Sequence, residues 1–131
     1  MPKFSEASLK RLGTCDERLQ ECLHKAIKKY DFTVLEGHRG REVQEEYFRT
    51  GKSRVSWPNS RHNESPSKAV DIAPYPIDWE DRERFIQLAG YILGIAAEKG
   101  YNMRYGGDWN SDGYTKDHKF SDLPHIEIIG D

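Results

Sequence analysis

The sequence predicts an α+β fold, a small antiparallel sheet with helices packed on one of its faces. Three observations carry that prediction. Apolar residues recur at helical spacing in two long stretches, 16–30 and 80–99. Short extended runs, most of them rich in β-branched residues, stand at 32–35, 69–73, 102–105 and 126–129, bounded by turn residues. Helices and strands do not alternate strictly, which favours an antiparallel sheet over a doubly wound one. A chain of 131 residues is read as one domain, 1–131, long enough for a single core and too short for two. It shows no internal repeat and no linker to a second module.

Taken in order, Ser5 and Ser8 offer a start for a helical pattern over 5–30, Gly13-Thr14 breaks it, and Asp16 is a second cap. Leu19, Cys22, Leu23, Ala26, Ile27 and Tyr30 then form one apolar stripe. The run 32–35 is ended by Gly37, and 41–49 reads as a helix closed by Gly51. From 52 to 68 the composition shifts to Ser, Asn, Pro and charge, a long loop of the kind that is often functional. A strand at 69–73 is stopped by Pro74 and Pro76. Asp78 or Glu80 opens the longest helix, which reaches Lys99 with Phe85, Leu88, Ala89, Ile92 and Ala96 on its buried face and Gly100 as its cap. A strand at 102–105, a polar loop over 106–121 and a last strand at 126–129 complete the chain.

Composition excludes several classes of function. Three Trp, seven Tyr and five Phe argue against disorder. A net charge of −2, with both signs interspersed, gives no support for a nucleic-acid partner. No apolar run approaches the ~18 residues of a membrane span. The N-terminus is charged from the start and lacks an apolar signal core, so the protein is expected to be made in the cytoplasm. Cys15 and Cys22 read as two positions on one helix, ~10 Å apart, too far for a disulfide. They are taken as free thiols.

Asp71 is the residue that fits its surroundings least. A carboxylate inside Ala69-Val70-Asp71-Ile72-Ala73 must pair with a cation or bind metal, and a salt bridge to an Arg is the commoner outcome. His125 heads a strand whose period of two sets it on one face with Glu127, while Ile126 and Ile128 share the other. Alone, His125 is either a site residue or a solvent-facing His. A lone loop His such as His62 is ordinarily exposed. Together, two His and one Asp match the ligand set of catalytic zinc sites, which keep a fourth position for water. Such a centre also needs a carboxylate to take the water's proton, and Asp122 lies three residues before His125. A separate run, Asp108-Trp109-Asn110-Ser111-Asp112-Gly113, copies the opening of a calcium loop, with Asp108, Asn110 and Asp112 as candidate Ca2+ ligands. Its twelfth position is Lys119 where a Glu is needed, so a turn capped by Asx residues is the alternative. His118 is a further loop candidate, either a substitute for His62 or exposed.

Several segments carry a family resemblance. Ser60-Arg61-His62 followed by Ala69-Val70-Asp71 resembles the SxHxxGxAxD signature of the D-alanyl-D-alanine carboxypeptidase and hedgehog-like zinc peptidases. Asp122-Leu123-Pro124-His125 resembles that family's DxxH motif, and Glu36-Gly37-His38-Arg39 with Gln44 its Gly-x-Arg…Gln segment. Arg104-Tyr105-Gly106-Gly107-Asp108-Trp109 is similar to the run before its last loop. Within the family, the small size and Pro74-Tyr75-Pro76-Ile77-Asp78-Trp79 resemble phage L-alanyl-D-glutamate endolysins. One departure is plain: His62 and Asp71 stand nine apart, two more than in the signature, and its Gly is missing.

The resemblance implies His62, Asp71 and His125 as ligands of Zn2+ and Asp122 as general base. It implies Arg39 as the stabiliser of an oxyanion or holder of a substrate carboxylate. Gln44 would orient Arg39 and, with Ser60, belong to the substrate side. The implied activity is hydrolysis of an amide in the peptidoglycan stem peptide, by a monomer without membrane or nucleic-acid partner that leaves the cytoplasm through a separate pore. A D,D-carboxypeptidase and a non-catalytic zinc- or calcium-binding module are the alternatives.

Overall fold

The computed structural model describes residues 2–108, 111 and 122–130. Along the chain run α1 (Glu6–Leu12), α2 (Glu17–Ala26), β1 (Phe32–Glu36), α3 (Arg41–Thr50) and a 3-10 turn (Arg61–Asn63). They are followed by β2 (Ala69–Pro74), α4 (Arg82–Glu98), β3 (Met103–Tyr105) and β4 (His125–Ile128). The strands form one antiparallel sheet in the order β1-β2-β4-β3. The predicted class and sheet type hold.

Local chemistry sets most element ends. Ser5 Oγ accepts from Ser8 N–H at 3.1 Å to start α1, and Asp16 accepts from Arg18 N–H at 2.9 Å to start α2. Gly51, at φ 84°, closes α3. The strand ends shift by a residue, two helix ends move further, and Cys15 changes place. α2 ends at Ala26 rather than at 30, because the chain passes through turns there before entering β1. α4 begins at Arg82, not at 78 or 80: Asp78 folds its carboxylate onto Glu80 N–H at 3.0 Å in a turn, which leaves Asp81 as the cap. Cys15 is not on a helix with Cys22 but in the break between α1 and α2, which is bound to the chain before β2 through Asp16 N–H to Ser67 O at 2.9 Å. Both thiols are free and buried, and burial pushes Cys15 up to about 12.

The sheet has two unlike faces. Val34, Val70, Ile72, Ile126 and Ile128 point into the core, against Leu12, Leu19, Leu23, Ala26, Leu88 and Ile92 from α1, α2 and α4. Fully burying such a side chain is worth about 1.5–3 kcal/mol, so the register is strongly held. A slip of one residue would drive Asp71 into that core. On the opposite face the same alternation lines up Asp71, His125, Glu127 and Arg104. Asp71 sits directly across from His125, and Arg104 across from Glu127. A bulge between Val34 and Glu36 in β1 brings Glu36 opposite Asp71, where regular pairing would place Leu35. The sheet therefore carries a core on one side and a polar cluster on the other.

Candidate metal centre and its cleft

His62, Asp71 and His125 come together across 63 positions of sequence. Asp71 Oδ1 lies 3.2 Å from His62 Nε2 and 3.1 Å from His125 Nδ1, and those two ring nitrogens are 3.3 Å apart. Both histidines are buried, His62 to 1% exposure. Among the described residues this cluster has the spacing of a metal site.

Each ring is fixed by what its far nitrogen does. His62 Nδ1–H donates to the Gly37 carbonyl at 2.7 Å, which leaves the Nε2 lone pair facing the cluster. His125 Nε2–H donates to Glu127 Oε1 at 2.6 Å, which turns Nδ1 inward, and Arg104 Nη2 donates to Glu127 Oε2 at 2.7 Å from the far side. The sequence reading set Glu127 beside His125 without giving it this task; the period of two was the available signal. The backbone supports His62 as well. Ser60 Oγ accepts from His62 N–H at 3.2 Å, Asn63 Oδ1 accepts from Ser60 N–H at 3.0 Å, and His62 O accepts from Arg39 N–H at 2.8 Å. Gly37 must be glycine here, since a Cβ would overlap Thr14 Oγ1 and the Arg11 carbonyl.

The two carboxylate oxygens of Asp71 face different partners. Oδ1 faces the imidazoles, while Oδ2 stands 3.7 Å from Arg39 Nη2. Burial would raise its pKa, but the two imidazoles outweigh it and hold the carboxyl well below the usual range. His125 moves the other way: burial alone would lower it, yet its bonds to Asp71 and Glu127 push it up to about 10. Two ring nitrogens and a carboxylate oxygen converging at one point are a donor set that would suit a tetrahedral zinc ion.

Around this cluster lies a cleft of about 830 Å³, lined among others by Glu36, Arg39, Tyr47, Ser60, Trp79 and Asp122. Asp122 sits in the turn before β4, its N–H donating to Gly106 O at 2.9 Å. Burial first, then the charge of Asp71, raise its pKa. Arg39 is anchored by Glu36 Oε1 at 2.9 Å and Gln44 Oε1 at 2.8 Å, with its guanidinium 4.6 Å from the Tyr47 ring centre. Gln44 is fully buried. It donates to Ser53 Oγ and Val55 O and accepts from Arg39 and Asn63, so it stands behind Arg39, Ser53 and Val55, which line the cleft. Ser60 lines the cleft directly.

Asp108 is placed in a turn after β3, its N–H donating to Tyr105 O at 3.0 Å. Asn110 and Asp112, the other two candidate calcium ligands, and His118 lie outside the described residues. No calcium site is assembled among the described ones.

The comparisons with known proteins agree with this arrangement. The family model for phage L-alanyl-D-glutamate peptidase matches residues 1–129. The L-alanyl-D-glutamate peptidase of Escherichia phage T5 is 32% identical, over 97% of this chain and 98% of that protein. The crystal structure of the Serratia marcescens L-Ala D-Glu endopeptidase ChiX superposes with a TM-score of 0.76 at 26% identity, covering 96% of this chain and 90% of that one. Sequence, fold and the convergence of two histidines with one strand aspartate lead to the same place: the chain belongs to the phage L-alanyl-D-glutamate peptidase family.

Proposed function

We propose that the protein hydrolyses the amide between L-alanine and D-glutamate in the peptidoglycan stem peptide, with His62, Asp71 and His125 holding a zinc ion. The observation that carries this reading is the fixed orientation of both imidazoles, whose inward nitrogens lie 3.1–3.2 Å from Asp71 Oδ1 on the floor of an open cleft. When bound in such a site, zinc acidifies water to a pKa of about 7 and polarises a carbonyl.

The remaining work falls to the chain's own side chains. Asp122 accepts the proton of the attacking water and delivers it to the leaving amine, a role its raised pKa favours. Arg39 adds positive charge at the cleft floor, where a developing oxyanion or a substrate carboxylate gains from it. Gln44 and Glu36 hold its fork in place. Ser60 caps the turn that carries His62 and offers its hydroxyl to the substrate side. No helix among the described residues is long and apolar enough to cross a membrane. The protein acts on the wall as a monomeric single domain, without nucleic-acid or membrane partner, and reaches it through a pore supplied by others.

Digesting purified wall and identifying what is released tests the bond. New amino termini on D-glutamate support the endopeptidase. Release of D-alanine instead would make the protein a D,D-carboxypeptidase, and neither product would make it a non-catalytic zinc module.

A further inference from the structure

We infer that the cleft contains a sugar subsite beside the metal centre, built on Trp79, so that the preferred substrate is a stem peptide still joined to its glycan; this rests on the peptidase reading above. Trp79 is 59% exposed although it lines the same cleft as His62, Asp71 and His125. One face of its indole lies on the Phe85 ring, with centroids 5.5 Å apart and planes at 22°, and Phe85 itself is buried to 3%. The indole is thus braced on one face, and among the described residues no second ring covers the other. A rigid aromatic held in this way binds with little loss of side-chain freedom, as anchors in recognition surfaces do. Tyr75 and Ile77, on the same segment, are exposed as well.

The chemistry that fits an open flat π face is the C–H face of a pyranose ring, which offers apolar contact and weak C–H donors together. Peptide groups match the other contributors to the cleft better. Lys52 and Arg54 come from the 52–61 loop with Arg61, which is paired to Glu64 at 3.0 Å, and positive charge there suits the carboxylates of a stem peptide. On the other side of the bond, L-alanine presents only a methyl group, far too small to require an indole. Beyond it come the lactyl ether and the sugar. At about 830 Å³ the cleft is near the upper end for small-molecule sites and holds more than two residues.

The test compares the zinc-loaded protein on two soluble substrates, a disaccharide-bearing muropeptide and the same peptide without sugar. For the unmodified protein, kcat/KM is expected to be about tenfold higher on the muropeptide. Trp79→Ala should lose that preference through a rise in KM, leave cleavage of the free peptide unchanged, and be rescued by Trp79→Phe. Equal rates on both substrates for the unmodified protein, or an equal loss on both in Trp79→Ala, would overturn the subsite. Failure of the unmodified protein to cut either substrate would overturn the peptidase reading itself.

Discussion

At the scale of single residues, the proposed mechanism separates metal binding at His125 from proton transfer at Asp122. Asp122 does not ligate in this reading, so Asp122→Asn should keep its zinc while turnover falls by about 10²–10⁴, the usual contribution of a general base. Metal content and hydrolysis measured on one preparation check this, and unchanged turnover would remove Asp122 from the mechanism. Glu127 does the reverse. It touches no substrate atom in this account but fixes the ring of His125 at 2.6 Å. Glu127→Gln should therefore weaken zinc affinity about 10–100-fold, as loss of such a partner typically does. Competition with a chromogenic chelator reads that change.

At the scale of elements, two connections position the site. Gly106, after β3, packs so tightly against the turn before β4 that a Cβ there would fall on the Asp122 carbonyl. Gly106→Ala should leave the protein folded yet displace Asp122. A shift near 1 Å can cost about 10²-fold in rate, so turnover falls steeply while the melting transition persists. The second connection joins α2 to the start of β2. Asp16 caps α2, and its carboxylate meets Arg18 Nε at 3.0 Å and Lys68 Nζ at 3.2 Å. Arg18, outweighing burial, with Lys68 adding to it, depresses the Asp16 pKa well below the usual range. A depressed carboxylate adds stability that is present above the unfolded value of about 3.9 and is lost as pH falls through the folded one. Asp16→Ala should then cost about 0.5–2 kcal/mol at pH 7. That deficit should shrink on acidification below about pH 4, as urea titrations at several pH values would show.

At the scale of the whole molecule, the sheet is an apolar plate with a charged upper surface, and the sequence displays that plainly. The lone carboxylate inside the apolar run 69–73 and the period-two face that pairs His125 with Glu127 mark both the strands and the candidate site, although each residue taken alone leaves a bland reading open. The helix stripes likewise announce α2 and α4. What stayed hidden depends on contacts distant in the chain. Nothing local to His62 reveals that its ring is fixed by the Gly37 carbonyl, 25 positions away. The bulge that delivers Glu36 to Arg39 has no composition cue. Competition between Asp78, Glu80 and Asp81 for one helix cap was settled by a side-chain turn, which the residue types alone leave open. Because the metal would join a 3-10 turn, β2 and β4, it should also stabilise the fold. Zinc at 100 times its Kd adds about 2.7 kcal/mol, so chelation should lower Tm reversibly, and an unchanged Tm would argue against a ligand shared by three elements. The most direct measurement is the metal content of the purified protein beside His62→Ala, Asp71→Ala and His125→Ala. The account predicts one zinc per chain in the unmodified protein and loss of it in each variant that remains folded. Full zinc content in any of the three would contradict it.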